Sequence, residues 1–193
     1  YLCFSPPSHA IPPSPLPALT TGKITFGCFN NAAKLTSEVI ATWAKLLRAL
    51  PHSRLFLKSA GVGDEKSRVH YRSLFAKHGV GAEQLKFAGH SARDELLTAY
   101  HAVDIGLDPF PYNGGTTTAE ALWMGVPVVS LRGNRFVSRV GDSFLTNAGQ
   151  GEFAVDSEDA YIAKALALAS DLPRLAELRS RLRSQLLNSP LCD

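Results

Sequence analysis

Residues 107–125, LDPFPYNGGTTTAEALWMG, hold the densest chemistry in this 193-residue chain. An apolar run with strand character (Val103, Ile105, Leu107) enters a turn rich in Pro and Gly. The turn opens into an amphipathic helix starting near Thr116. Gly114, Gly115, Thr116, Thr117 and Thr118 therefore gather free backbone amides at the positive end of a helix, a setting that suits a phosphate. Glu120 follows about one turn later, where a carboxylate can accept hydrogen bonds from ribose hydroxyls. On spacing alone, the same string also reads as an ordinary Gly-Gly turn before a Thr-capped helix.

Three other loops carry polar groups. Residues 29–34, FNNAAK, end a strand-like run with two amides and a lysine. A lysine beside a diphosphate offers mobile positive charge to a departing nucleotide, and a solvated loop lysine is the plainer reading of Lys34. Residues 89–93, GHSAR, place His90 as a base or a surface residue. They place Arg93 beside Asp94 and Glu95, where a local salt bridge is the alternative to a ligand contact. Arg139 falls at a helix start, to reach an anionic ligand or to pair locally. Tyr112 and Asn113 shape the turn or approach a sugar, and Trp123 and Met124 face the core.

These loops need a scaffold, and the hydrophobic spacing supplies one. Strands are expected at 24–29, 54–58, 85–88, 103–107, 126–131 and 152–155. Helices are expected at 37–50, 65–78, 93–101, 116–124, 136–148, 157–169 and 173–187. The alternation predicts an α/β fold, a parallel sheet with helices on both faces, with ligands bound in the loops that lead from strand ends into helices. Residues 1–22, crowded with Pro and Ser, are expected to form an extended linker or surface strap, leaving 23–193 as one lobe.

Composition narrows the function. Twenty basic residues against 17 acidic ones, with no basic run, do not argue for nucleic acid. No apolar run approaches membrane-spanning length. Cys3, Cys28 and Cys192 show neither a disulfide framework nor metal spacing, which fits a reducing cytoplasm, and Cys28 reads as a small buried apolar residue. No group of His, Cys, Asp and Glu suggests a metal, and none is expected.

The string LDPFPYNGGTTTAEALWMGVPVVSL resembles the donor-binding segment of the protein O-GlcNAc transferase family, Spindly-like relatives included. Residues 25–59, 87–108, 134–155 and the terminal NSPLCD fit the same pattern, so the likeness covers nearly everything from Ile24 to Cys192. It implies a Rossmann-like lobe, the C-terminal one of a glycosyltransferase B fold, in a longer enzyme with a first lobe, tetratricopeptide repeats and a closing helix. Residues 1–22 would then join the two lobes. By resemblance, Lys34 contacts the diphosphate and Asn31 is a neighbouring polar residue. Backbone near Ser91 reads the base, with Arg93 close by. Thr116 and Thr117 hold the diphosphate after Gly114 and Gly115, and Glu120 binds ribose. Two departures stand out. Leu96 replaces a base-stacking histidine, and Gly115 replaces the histidine usual before the Thr pair.

The expected function is the donor-binding lobe of an inverting protein O-glycosyltransferase that moves GlcNAc from UDP-GlcNAc to Ser or Thr, inactive when isolated. The acceptor protein would be held by the other lobe and the repeats. The alternatives are GDP-fucose as donor, motivated by Gly115 and the triple Thr, and a non-catalytic nucleotide-sugar-binding domain. An NAD-type Rossmann domain is disfavoured because the first strand leads into FNNAAK rather than a Gly-rich fingerprint.

Overall fold

The computed structural model describes residues 3–7 and 11–192. Residues 1, 2 and 8–10 of the expected linker, and residue 193, lie outside the described residues. The strands are β1 Thr25–Cys28, β2 Arg54–Lys58, β3 Leu85–Ala88, β4 Ile105–Leu107, β5 Val128–Leu131 and β6 Ala154–Val155. The helices are α1 Ala18–Thr21, α2 Ser37–Ala49, α3 Glu65–Ala76, α4 Arg93–Ala99, α5 Thr116–Trp123, α6 Val140–Asn147, α7 Glu158–Ser170 and α8 Leu172–Leu187.

All strand pairs are parallel, and the sheet order is β3-β2-β1-β4-β5-β6. Phe26, Gly27 and Cys28 of β1 and all three residues of β4 are buried, as expected for strands covered by helices on both sides. Thr36 caps α2 by accepting the Val39 amide at 3.3 Å. Val39, Ile40, Trp43, Leu46 and Leu47 then bury one stripe of that helix. Each of these large side chains contributes about 1.5–3 kcal/mol by leaving water.

The Pro/Ser-rich segment is fastened to the lobe rather than hanging from it. Prolines give residues 11–17 few amides for a ladder, so side chains from elsewhere do the pairing. Arg179 of α8 donates to the Ser14 carbonyl at 2.7 Å and the Ser14 hydroxyl at 2.9 Å. It also donates to the carbonyls of Val103 (2.7 Å) and Tyr100 (3.2 Å). Buried Asp104 accepts the amides of Ala18 and Thr25, each at 2.8 Å, and so ties α1 to β1. Leu16 and Ala18 enter the core, and Phe4 packs on Trp123 with ring centroids 6.1 Å apart. The Phe4 amide donates to the Leu191 carbonyl at 2.6 Å, so the two ends of the described chain lie side by side.

Three expected elements are corrected. The single helix over 136–148 is instead a 3-10 turn, Phe136–Ser138, followed by α6. Arg135 and Ser138 close that turn reciprocally, the Ser138 hydroxyl accepting the Arg135 amide at 3.1 Å and donating to its carbonyl at 2.9 Å. Regular helix can begin only after it. The helix over 93–101 gives way to a 3-10 turn at Tyr100–Ala102, where Arg179 takes the Tyr100 carbonyl. The strand over 152–155 shortens to Ala154–Val155 behind the turn Gly151–Phe153.

Candidate functional site

The sheet order reverses between β1 and β4: the chain moves outward to β2 and β3 on one side and to β5 and β6 on the other. Loops diverge at such a point and leave a crevice outside the strand C-termini. The two loops that flank it are those after β1 and β4, which carry FNNAAK and DPFPYNGGTTT.

Lys34 joins the two loops. It lies in the 3-10 turn Ala32–Lys34, and its ammonium donates to the Asn113 carbonyl at 2.8 Å and to Asn30 Oδ1 at 3.1 Å. The ammonium also sits 4.2 Å from the centroid of the Tyr112 ring. Asn30 Oδ1 accepts the Thr117 hydroxyl at 3.0 Å as well, so one amide oxygen links Lys34 to the first turn of α5. Burial pushes the Lys34 pKa down, and the nearby Asp108 partly opposes that shift. The Asn31 side chain caps the same turn by accepting the Ala33 amide at 2.9 Å. An open pocket of about 350 Å³ lies between Asn31 and Lys34 on one side and Pro111 and Tyr112 on the other.

The start of α5 has no side-chain cap, because Gly115 holds the N-cap position. The leading amides of a helix have no intrahelical partner, so this end presents donors to the crevice. Thr116 is exposed, Thr117 half-buried and Thr118 buried. Thr118 Oγ1 and Asn113 Oδ1 are buried without a hydrogen-bond partner. The beginning of α6 faces the same turn, since a Cβ on Gly115 would sit 3.6 Å from Val140 Cγ1. Arg139, next to Val140, is exposed and lies 3.7 Å from Asp142.

Glu120 is 5 % exposed, and its carboxylate lies 3.7 Å from the Arg93 guanidinium at the start of α4. Arg93 thus reaches across to Glu120, and no ion pair with Asp94 or Glu95 is found among the described residues. Burial raises the Glu120 pKa, and Arg93 partly lowers it. Ser91 is half-buried two residues before Arg93, and His90 is exposed. Leu96, at the stacking-histidine position, packs partly buried against the core.

The sequence alone gives no individual role to Asp108, or to Asn30 beyond its place in the FNNAAK loop. Asp108 is 1 % exposed at the end of β4. One carboxylate oxygen accepts the Gly114 amide and the other the Ser130 hydroxyl, both at 2.6 Å. Its own carbonyl accepts the Tyr161 hydroxyl at 3.0 Å, and Trp43 Nε1 donates to that hydroxyl at 3.2 Å. Burial pushes the carboxyl up to about 7, against the pull of Ser130, Gly114 and Lys34. The signal available was an acid ending an otherwise apolar strand six residues before a glycine pair.

The pattern of glycosyl transferase family 41 matches residues 16–193. A probable UDP-N-acetylglucosamine–peptide N-acetylglucosaminyltransferase SPINDLY of Petunia hybrida is 41 % identical over 194 residues, covering all of this chain and 21 % of that protein. The SEC protein of Arabidopsis thaliana, with the same type of name, is 32 % identical over 176 residues, 91 % of this chain and 18 % of its own length. Among solved structures, a variant of the Thermobaculum terrenum O-GlcNAc transferase superposes with a TM-score of 0.89 at 39 % identity, over 94 % of this chain and 34 % of that one. The chain therefore spans about a fifth of the length of the curated relatives it matches.

Proposed function

The chain belongs to glycosyl transferase family 41, and from that premise we propose that it is the donor-binding lobe of an inverting protein O-glycosyltransferase. The observation that carries the reading is the junction of Lys34, Asn30 and Thr117 at the uncapped start of α5, with Glu120 one turn further along. Phosphate oxygens would meet the leading amides of α5 and the Lys34 ammonium, and the ribose hydroxyls would meet Glu120. Asn31, Ser91, Arg93, Gly114, Gly115 and Thr116 complete the rim, with Arg139 at its edge.

The donor we favour is UDP-GlcNAc and the acceptor a Ser or Thr hydroxyl. That oxygen attacks the anomeric carbon from the face opposite the diphosphate. The bond to the diphosphate breaks, and its electron pair leaves with the nucleotide. The hydroxyl proton passes to a base that we assign, with acceptor positioning, to segments outside this chain. Lys34 and the α5 amides stabilise the charge on the leaving diphosphate, which supplies positive charge without requiring a metal. A reducing compartment such as the cytoplasm suits Cys3, Cys28 and Cys192, whose spacing in the sequence shows no disulfide framework. No helix of the described residues is long and apolar enough to cross a membrane.

A second reading, GDP-fucose as donor, is motivated by Gly115 and the triple Thr that follows it. Calorimetric titration of the chain with UDP and with GDP separates the two. UDP binding that weakens roughly tenfold or more in both Lys34→Ala and Glu120→Ala is the expected result, because each variant removes a charged hydrogen bond worth about 1.5–3 kcal/mol. A preference for GDP moves the donor to the fucosyl type. Folded wild-type chain that binds neither nucleotide defeats the donor-lobe reading.

A further inference from the structure

Asp108 is a buried acid that the proposed reaction does not use, and the structure builds four elements around it. It ends β4. Its oxygens are taken by Gly114, from the turn before α5, and by Ser130 of β5, each at 2.6 Å. The fourth element is α6, which brings Gly141 against the Asp108–Ser130 pair. Each oxygen is approached by a glycine that has no room for a side chain. A Cβ on Gly114 would lie 3.0 Å from Asp108 Oδ1, and one on Gly141 would lie 2.4 Å from Oδ2. A Gly114 Cβ would also lie 2.6 Å from the Thr117 hydroxyl, so the carboxylate and the first turn of α5 close on the same residue.

We propose that Asp108 is a positioning residue for the donor diphosphate: it holds the Gly114 amide and Ser130 together and so fixes the turn that presents the α5 amides. This rests on the donor-lobe reading above. Asp108 itself would not touch the ligand, because it lies beneath the turn at 1 % exposure. The mechanism is orientational. A Gly-Gly turn has wide conformational freedom, and an uncapped helix start offers no side chain to restrain it. One bond from a rigid strand end removes that freedom before the ligand arrives. Lys34, Cys28 and Tyr161 are the other titratable groups that bear on the Asp108 carboxyl, and the Tyr161 hydroxyl also donates to its main-chain carbonyl.

Asp108→Asn preserves the arrangement. Its oxygen can accept the Gly114 amide and its NH₂ can donate to Ser130, whose hydroxyl reverses. Asp108→Ala leaves the Gly114 amide without a partner. Calorimetric titration with UDP and with uridine, which lacks the phosphates, is the test. Asp108→Ala is expected to weaken UDP binding tenfold or more while uridine binding changes less than twofold, and Asp108→Asn is expected to restore UDP binding to within about threefold of wild type. Should circular dichroism show Asp108→Ala unfolded, Ser130→Ala carries the test, with a loss of threefold or more confined to UDP. Folded Ala variants that bind UDP like wild type, or that lose UDP and uridine equally, overturn the proposal and leave the donor-lobe reading standing. Wild-type chain that binds neither UDP nor GDP overturns both.

Discussion

At the scale of single residues, the two adjacent glycines of the turn have opposite tolerances. Gly114 faces three oxygens at 2.6–3.0 Å from any added Cβ, whereas Gly115 meets only carbon at 3.6 and 3.8 Å. Gly114→Ala should therefore cost about 1–3 kcal/mol through overpacking, and Gly115→Ala only a few tenths. Thermal unfolding of the pair reads the contrast directly, and equal losses would mean the turn relaxes around either side chain. The Asp108 carboxyl sets a pH dependence of known sign. Its pKa is raised from 3.8 to about 7 by burial, so the folded chain retains a proton that the unfolded chain has lost over that window. Stability of wild type relative to Asp108→Asn should fall as pH rises from about 4 to about 7 and level off above. Urea unfolding near pH 5 and near pH 8 checks it. No change across that interval would show that the native carboxyl is already ionised in mildly acid solution.

At the scale of elements, Arg179 decides whether the N-terminal strap belongs to the fold. It is 2 % exposed, and it bridges α8, the strap and the approach to β4. Arg179→Ala should destabilise by about 3–5 kcal/mol, since buried carbonyls and the nearby Asp104 lose their cation together. Limited proteolysis should then cut the strap faster, and an unchanged cleavage rate would show that Leu16 and Ala18 anchor it unaided. This bond pattern was not legible in the sequence. The strand–helix alternation was, because burial on both sheet faces writes continuous apolar runs such as VVSL and IGL. The loops at the switch point followed from that alternation, and Lys34 and Glu120 stood out by charge. Asp108, Asn30 and Asp104 did not, since each draws its meaning from a hydrogen-bond partner 79 or more positions away or from a turn closed in three dimensions. Asn30 meets Thr117 across 87 positions, and Asp104 meets Ala18 across 86. The helix break at Arg139 was hidden for the same reason: reciprocal bonding of Arg135 and Ser138 overrides helical spacing.

At the scale of the whole molecule, the relatives are about five times longer than this chain, and their names describe transfer to peptide. The reading proposed above divides the labour. This lobe binds and steadies the nucleotide end of the donor, and the acceptor side lies elsewhere. The isolated chain should therefore bind nucleotide yet transfer no sugar from UDP-GlcNAc to a Ser/Thr peptide, as followed by mass spectrometry of the peptide. Turnover by the isolated chain would place the acceptor machinery within this lobe. The adjacency of Phe4 and Leu191 has a topological consequence. The path from Phe4 to Leu191 is close to a closed loop, and its order of synthesis is then separable from its shape. The exposed turn around Lys77, His78 and Gly79 lies before β3, at the edge of the sheet opposite the strand ends that form the crevice. A circular permutant opened at that turn, with a short flexible linker closing the old ends, should fold and bind nucleotide as the parent does.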